Sequence, residues 1–311
     1  MTKSKIALLF AGQGAQYVGM GRDFYEESPI AQAIFDIGEA FRPGTPEVCF
    51  RGSPAALSRL ENLQPCLYLT DLAIAGCLAD AGLQPDAVAG FSVGELAALA
   101  FAGVITDADG FRLATLRGSE MAGCALRYPC TLTAVIGLDA PQVCALAAEY
   151  TDIYPISFEC PGQVSVAGFP EEMPAFCARV LAAGGRAVPL TVGGALHTPY
   201  MSLACAALTG ALSCMTVSKA RMPVFANLTG LPYPGNPAQV KDTISDEVMS
   251  CVRFEESVRH MAESGIDTFI EIGPGDTLSG YAERTVPGVK VFHISTLNEM
   301  REVLHQVRHN I

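Results

Sequence analysis

The chain has 311 residues, half of them hydrophobic and only 17% charged, so it can bury a sizeable core and is not expected to be disordered. The formal net charge of −12 argues against nucleic acid as a partner, because proteins that bind nucleic acid present basic surfaces, and it gives no attraction to an anionic membrane. The eleven cysteines include no Cys-x-x-Cys pair, which favours reduced thiols, no structural metal site and a cytoplasmic location.

Strands and helices alternate along the first third of the chain. The hydrophobic pattern predicts a buried strand at 6–10, a helix at 66–81 opened by Gln64-Pro65, a short strand at 87–89 and a helix at 93–102. Such alternation favours a parallel sheet covered on both faces, hence an α/β fold. The same sheet is expected to resume with strands at 223–226, 268–272 and 289–294.

The middle of the chain has a different order of elements. Four predicted strands, at 131–137, 153–158, 163–168 and 186–192, enclose helices at 141–149 and 171–183. The order β-α-β-β-α-β is the split βαβ arrangement of ferredoxin-like modules. We therefore expect a small ferredoxin-like α+β subdomain at 127–194, inserted into a large catalytic domain formed by 1–126 and 195–311. Thr198 is expected to cap the next helix, and the uncharged stretch 200–215 is too short to span a membrane.

One serine has the sequence context of a nucleophile. Gly90-Phe91-Ser92-Val93-Gly94 fits G-x-S-x-G, with a predicted strand before it and a helix after it, as a nucleophile elbow requires. The amide of Val93 can then donate to an oxyanion. A structural serine in a glycine-rich helix entry is the alternative interpretation of so short a motif.

A serine nucleophile needs a base, which is most often histidine. His197 follows Gly193-Gly194 in a predicted loop, a position where catalytic groups concentrate, and we favour it over His293, which a strand would bury. The other three histidines are expected to be solvated, namely His260, His305 and His309. Glu247 is one candidate to orient the imidazole, and a backbone carbonyl is another.

Two further segments bear on the site. The turn Gly12-Gln13-Gly14 lacks the third glycine of a dinucleotide fingerprint, because Tyr17 stands at that spacing, and a tight turn that brings a backbone amide near the active site fits it better.

Arg117 lies on the predicted helix after Gly110. An arginine that faces a pocket can hold a carboxylate through two parallel hydrogen bonds, although an ordinary surface arginine is the simpler interpretation of the pattern alone.

Taken together, the motifs resemble those of the malonyl-CoA:acyl-carrier-protein transacylase family and the related acyltransferase domains of polyketide synthases. They occur in the same order over nearly the whole chain: FAGQGAQ at 10–16, QP at 64–65, GFSVGE at 90–95, RG at 117–118, PGQ at 161–163, LHTPYM at 196–201, NLTG at 227–230 and EIGPG at 271–275. Each motif is weak alone, but the ordered set is highly specific.

The resemblance implies an α/β-hydrolase-like core with a mostly parallel sheet and an inserted ferredoxin-like subdomain. It implies Ser92 as nucleophile, His197 as base, the amides of Gln13 and Val93 as the oxyanion hole, and Arg117 as the partner of the malonyl carboxylate. The expected reaction is ping-pong: malonyl-CoA acylates Ser92, and the phosphopantetheine thiol of a transiently bound acyl carrier protein collects the acyl group, for fatty-acid or polyketide synthesis. No metal or redox cofactor is implied, and a monomer is expected.

Two positions depart from the family pattern. Phe91 stands where histidine usually precedes the nucleophile, which makes the acyl pocket more apolar, and Glu247 replaces a common glutamine. A carboxylate there would repel malonate if it faces the pocket, and would stabilise an imidazolium if it faces His197. Two alternatives stay open. A serine thioesterase or hydrolase would use the same Ser92 and His197 but release its product to water, and the departures at Phe91 and Glu247 leave room for a catalytically impaired protein that binds acyl carriers.

Overall fold

The computed structural model describes residues 4–309, which form an α/β fold around two five-stranded sheets. The ten strands are β1 (Ile6–Phe10), β2 (Ala87–Gly90), β3 (Thr131–Ile136), β4 (Ile153–Cys160), β5 (Gln163–Gly168), β6 (Arg186–Gly193), β7 (Val224–Phe225), β8 (Val252–Arg253), β9 (Thr268–Ile272) and β10 (Lys290–Ile294).

Helices account for most of the remaining described chain. They are α1 (Arg22–Glu27), α2 (Pro29–Phe41), α3 (Thr45–Arg51), α4 (Pro54–Leu57), α5 (Leu60–Asp80), α6 (Gly94–Phe101), α7 (Asp107–Arg127), α8 (Ala140–Ala147), α9 (Met173–Ala182), α10 (Ser202–Ser213), α11 (Pro237–Asp246), α12 (Phe254–Glu263), α13 (Thr277–Thr285) and α14 (Leu297–His309). Short 3-10 helices lie at Pro199–Met201 and Glu247–Met249.

The first sheet is parallel throughout, with the strand order β10-β9-β1-β2-β7. Its central strand β1 shows why: Ile6, Leu8 and Phe10 belong to one hydrophobic core, while Ala7 and Leu9 belong to a second core on the other face. A strand covered on both faces has no polar side, so it is a continuous apolar run instead of an alternating one. The predicted parallel α/β sheet is thereby confirmed.

The second sheet has the order β6-β3-β5-β4-β8, in which the first four strands are antiparallel neighbours. With α8 and α9 between them, these four strands have the predicted β-α-β-β-α-β order, and the fold class is confirmed. The fifth strand, β8, comes from outside 127–194 and pairs parallel with β4. The division of the chain into 1–126 with 195–311 and 127–194 stays a prediction.

Several local predictions were wrong at the ends of elements. Pro65 does not open α5: it lies inside the helix, which starts at Leu60, and every residue from Leu63 to Ala75 is buried, so tertiary packing outweighs the hydrogen bond that proline removes. Thr198 precedes a 3-10 turn, but its hydroxyl donates to the Ala195 carbonyl and does not cap it.

The buried character predicted for two later segments also needs correction. β10 is an edge strand in which only Ile294 is buried. In α10, Ala204, Leu208 and Leu212 are buried on one side, whereas Leu203 is half exposed, so the helix covers the core and does not lie inside it. No helix within residues 4–309 is long and apolar enough to cross a membrane.

Candidate active site

Ser92 lies in a sharp turn between the end of β2 and the start of α6. Its φ is 53°, in the left-handed region that a non-glycine residue adopts only when its surroundings enforce it. The flanking glycines explain how: a Cβ on Gly90 would lie 2.1 Å from the carbonyl carbon of Gly94, and one on Gly94 would lie 2.4 Å from the oxygen of Phe10. Only glycine lets the strand, the turn and the helix approach this closely, so the G-x-S-x-G motif forms an elbow.

Asn227, which follows β7, stabilises this turn through hydrogen bonds. Its Oδ1 accepts a hydrogen bond from the backbone N–H of Ser92 at 2.7 Å, and its Nδ2 donates to the Gly90 carbonyl at 2.6 Å. The backbone N–H of Asn227 in turn donates to Oε1 of Glu95 at 3.1 Å, and Tyr233 donates to the same oxygen at 2.6 Å. All of these groups are buried or partly buried, so the network holds the serine in one conformation.

His197 contacts Ser92 and a backbone carbonyl through its two ring nitrogens. Its Nε2 lies 2.8 Å from Ser92 Oγ, and its Nδ1 lies 3.1 Å from the backbone oxygen of Glu247. The carbonyl can only accept, which assigns the proton to Nδ1 and leaves Nε2 free to accept the serine proton. Of the two orienting groups left open by the sequence, the backbone carbonyl therefore makes the hydrogen bond.

The conformation and the pKa of His197 are both unusual. Ser92 and His197 (φ 55°) are the two non-glycine residues with positive φ in the described chain, 4–309. Burial lowers the pKa of His197; the carboxylate of Glu247 opposes this effect and the guanidinium of Arg117 adds to it. A neutral imidazole at pH 7 is the form that a general base needs.

Arg117 projects from α7 to the same point. It is only 2% exposed, and its Nη2 donates to Ser92 Oγ at 2.9 Å, while its Nη1 donates to Oε1 of Gln64 at 2.9 Å. Gly118 permits this approach, because a Cβ there would lie 2.6 Å from the carbonyl oxygen of Leu60 on α5. Arg117 is thus a buried cation in contact with the nucleophile, and not the surface arginine of the simpler interpretation.

Glu247 connects the base and the arginine through its side chain. Its Oε2 accepts from Arg117 Nη2 at 2.9 Å, and its Oε1 lies 3.6 Å from Nδ1 of His197. Glu247 is 4% exposed.

Burial and the neighbouring Glu247 carboxylate raise the pKa of Glu95, which favours the neutral form of that acid.

The predicted oxyanion donors, Gln13 and Val93, belong to two segments beside the serine. Gln13 follows β1 in the turn beside the elbow, where a Cβ on Gly12 would lie 2.7 Å from the Phe91 oxygen. Val93 is the N-cap residue of α6, so its N–H lies at the positive end of that helix. Within residues 4–309 neither amide donates to a protein acceptor, which leaves both available to a ligand oxygen.

A cleft of 320 Å³ opens in front of Ser92 and His197, between the two sheets. Apolar side chains from both sheets and their loops contribute to its wall, among them Phe91, Leu132, Ile156, Leu196 and Leu278. Phe91 packs edge-on against Phe254, with ring centroids 5.5 Å apart, and lies 6.4 Å from Tyr281. The aromatic residue at this position is therefore part of a packed cluster, and it makes the cleft apolar beside the nucleophile.

The other histidines lie elsewhere. His293 is exposed on the edge strand and lies 3.6 Å from Glu299, so its prediction as a core residue was wrong. His260 is partly buried, not solvated, and its Nδ1 lies 2.8 Å from the Gly230 oxygen. His305 is exposed on α14, and the side chain of His309 lies outside the described residues.

Three residues of the site were not identified from sequence as functional. Asn227 and Gln64 stand in motifs quoted above, but nothing in the pattern assigns them to Ser92 and Arg117. Glu95 follows the elbow, and the sequence pattern alone predicts an ordinary helix residue at this position. A carboxylate residue directly after G-x-S-x-G, at the start of an otherwise apolar helix, is the signal in the sequence that could have identified it. No cluster of three or more metal-ligating side chains occurs among residues 4–309.

Known proteins match this chain over nearly its whole length. Residues 7–300 match the family model described as the acyl transferase domain. The chain is 32% identical over 299 residues to the malonyl CoA-acyl carrier protein transacylase of Bacillus subtilis (strain 168), covering 94% of each chain. Its structure is similar to that of the malonyl CoA-acyl carrier protein transacylase from Clostridium perfringens, with a TM-score of 0.93, 29% identity and 98% of both chains covered.

A third relative was solved with its partner. It is a malonyl-transacylase in complex with a type II PKS acyl-carrier protein, 28% identical to this chain, with a TM-score of 0.91 over 97% of this chain and all of the other.

Proposed function

Because the chain is an acyltransferase that belongs to the acyl transferase domain family, we propose that it transfers a malonyl or related carboxyacyl group from coenzyme A to the phosphopantetheine thiol of an acyl carrier protein. The acyl group is held in between as an ester of Ser92, and the product serves fatty-acid or polyketide synthesis. The reaction as proposed needs only malonyl-CoA, the carrier and groups of one chain, which supports a monomer.

One observation above all supports this proposal: Ser92 Oγ lies between Nε2 of His197, 2.8 Å away, and Nη2 of Arg117, 2.9 Å away. A base on one side activates the hydroxyl. A cation on the other side is the group with which the carboxylate of a carboxyacyl group on Ser92 would pair. A simple esterase has no need of the second contact.

In the first half-reaction, Ser92 Oγ attacks the thioester carbonyl while its proton passes to Nε2 of His197. The carbonyl oxygen becomes an oxyanion, for which the amides of Gln13 and Val93 are the candidate donors. The Glu247 carbonyl keeps the Nδ1 proton in place, and the Glu247 carboxylate, 3.6 Å away, stabilises the imidazolium. When the C–S bond breaks, the coenzyme A sulfur takes the proton from Nε2.

The second half-reaction reverses these steps with a new thiol. The carrier's phosphopantetheine thiol gives its proton to Nε2 of His197 and attacks the Ser92 ester. The tetrahedral intermediate then collapses with cleavage of the C–O bond, and Oγ recovers the proton from Nε2. His197 must therefore be neutral at the start of both halves, which agrees with its lowered pKa.

Intact-protein mass spectrometry tests the proposal. The protein is mixed with malonyl-CoA, methylmalonyl-CoA or acetyl-CoA, and a malonyl adduct that moves to added holo acyl carrier protein is expected. Ser92→Ala should abolish the adduct, and His197→Ala should slow its formation by about 10²–10⁴-fold, the usual contribution of a general base.

Other outcomes distinguish the alternatives. Release of free acid instead of transfer to the carrier would identify a thioesterase or hydrolase. A folded protein that forms no adduct and releases no acid with any donor, yet binds the carrier, would identify the impaired carrier-binding protein. Either result would refute the proposed transfer.

A further inference from the structure

The guanidinium of Arg117 has no free side toward Ser92. Its Nη2 carries two protons, and these are directed to Ser92 Oγ and to Glu247 Oε2, each 2.9 Å away. Its Nη1 is held by Gln64 at 2.9 Å. A ligand carboxylate that binds arginine in the bidentate way must therefore take the place of an acceptor that the protein already provides.

The charge of Arg117 is also balanced before any ligand arrives. Arg117 and Glu247 are 2% and 4% exposed, so water screens neither of them, and the pair is neutral as a unit. A second carboxylate would leave one buried negative charge without a partner, which is costly. The Glu247 carboxylate also contributes to the raised pKa of the neighbouring Glu95, so a second negative charge is already disfavoured beside Glu247.

Space around the arginine is limited as well. The cavity that Arg117, Glu247, Glu95 and Ser92 share has a volume of 10 Å³, about enough for one water molecule and not for a carboxylate. By contrast, the cleft in front of Ser92 measures 320 Å³, and its lining combines apolar side chains with polar ones, Glu159 and Glu271 among them. A neutral acyl group fits this larger space without disturbing Arg117, whereas a carboxyacyl group must displace Glu247 if its carboxylate is to pair with Arg117.

From these three observations we propose that Glu247 determines acyl selectivity by competing with the donor's free carboxylate for Arg117. The effect is to weaken the preference of the enzyme for carboxyacyl donors over neutral ones. This inference rests on the proposed function, because it concerns the donor of that same reaction. Specificity is a difference between two affinities, and an internal carboxylate lowers one of them selectively.

The test is Glu247→Gln, measured as a ratio. Glutamine keeps an oxygen for Arg117 and the same backbone carbonyl for His197, but removes the competing charge. The ratio of kcat/KM for malonyl-CoA to that for acetyl-CoA should rise about tenfold or more, as expected when a ligand charge gains an uncompensated buried partner. Any change in the basicity of His197 acts on both donors equally and cancels in the ratio.

Two control variants separate the mechanism from general effects. Glu263→Gln removes an equal charge from an exposed position on α12, and it should leave the ratio unchanged. In the double variant Arg117→Ala/Glu247→Gln the gain should disappear, because the competition concerns Arg117. A ratio that stays constant or falls in Glu247→Gln, or a gain that persists without Arg117, would overturn the inference.

Binding without chemistry keeps this test independent of the proposed function. In a Ser92→Ala background, calorimetry gives the affinities for malonyl-CoA and acetyl-CoA, and Glu247→Gln should again raise the malonyl-to-acetyl affinity ratio. Failure of Ser92 to become acylated by any donor would refute the transfer reaction, whereas an unchanged affinity ratio would refute the role of Glu247.

Discussion

Asn227 holds Ser92 by its backbone and not by its hydroxyl: the Asn227 Oδ1 accepts the Ser92 N–H at 2.7 Å, while Nδ2 donates to the Gly90 carbonyl at 2.6 Å. The side chain thus bridges both ends of a turn whose central residue has a φ of 53°. A strained backbone conformation persists only where the surrounding contacts enforce it, and the two hydrogen bonds of the Asn227 side chain supply much of that constraint.

Asn227→Ala should therefore damage both the fold and the catalysis. Loss of two buried hydrogen bonds to backbone groups is expected to lower the free energy of unfolding by about 1–3 kcal/mol. Without these hydrogen bonds the turn no longer holds Ser92 Oγ in place, while the cleft that binds the donor is unchanged. The substitution should therefore reduce kcat for Ser92 acylation more than it raises KM. Urea unfolding and single-turnover acylation measure the two effects.

A matched control is Asn298→Ala, which removes an exposed amide that donates to Glu302 on α14. It should change neither stability nor acylation appreciably. If Asn227→Ala lowered stability but left kcat intact, the amide would be structural only, and its proposed role in positioning Ser92 would be wrong.

The pH dependence of acylation follows from His197. The neutral imidazole is active, and burial lowers its pKa, so the rate should be constant around pH 7 and decline only at values below the ordinary histidine pKa of about 6.5. The two charged neighbours give opposite shifts: Glu247→Gln removes a group that raises the pKa and should move the midpoint to lower pH, whereas Arg117→Ala should move it to higher pH.

Stopped-flow measurement of thiol release from pH 5 to 8 gives these midpoints, with acetyl-CoA as donor so that the carboxylate of malonyl-CoA does not contribute. Midpoints that move in the same direction in both variants would contradict the assignment of the titration to His197.

Most of the architecture could be predicted from local pattern. The apolar run of β1 and the order of elements from β3 to β6 are properties of short segments, and the structure has them at almost the predicted residues. The errors arose where tertiary packing overrides local preference. Pro65 is kept in α5 by burial, and the apolar Val291, Phe292 and Ile294 predict a buried strand although β10 lies at an edge.

The pairings within the site were harder to predict than its members. Ser92 and His197 could be proposed singly, because an elbow motif and a glycine-rich loop are local signals. The contact between Arg117 and Glu247 joins residues 130 positions apart, and no periodicity in the sequence encodes it. Asn227 is 135 positions from Ser92 and was missed for the same reason.

Glu95 gives a prediction about stability. Its pKa is raised in the folded protein by burial and by Glu247, so the folded state holds its proton more tightly than the unfolded state does. Above the ordinary glutamate pKa of about 4.3, the unfolded chain releases this proton first, and stability is lost as pH rises toward the raised value. Glu95→Gln should therefore stabilise the protein increasingly between pH 5 and 8.

Urea unfolding at pH 5, 6.5 and 8 measures the difference between the variant and the wild type. Glutamine retains an oxygen that can accept from the backbone N–H of Asn227 and from the Tyr233 hydroxyl, so the comparison isolates the effect of the Glu95 charge. Glu263→Gln is the control for the loss of one carboxylate at an exposed position. A difference between Glu95→Gln and the wild type that does not change with pH would show that Glu95 is not the group responsible.

The last prediction concerns the basic surface that an acidic carrier protein would meet. Lys219 and Arg221 follow α10, and Arg221 donates its backbone N–H to the Ala102 carbonyl at the far end of α6 from Ser92. Arg284 is better placed: it is exposed, donates to Gln163 at 2.9 Å and lies 5.4 Å from the ring centre of Tyr281, and both of these residues line the cleft. No carboxylate forms an ion pair with it within residues 4–309.

Arg284→Glu should raise KM for the carrier protein several-fold, because a complementary charge at an interface mainly accelerates association, and the effect should shrink at high salt. Lys290→Glu makes the same charge change at the start of β10, at the end of the sheet opposite to Ser92, and should have little effect. Acylation of Ser92 and transfer to the carrier are measured separately by mass spectrometry. Coenzyme A also carries negative phosphates, so an equal loss in both half-reactions would assign Arg284 to coenzyme A instead of the carrier.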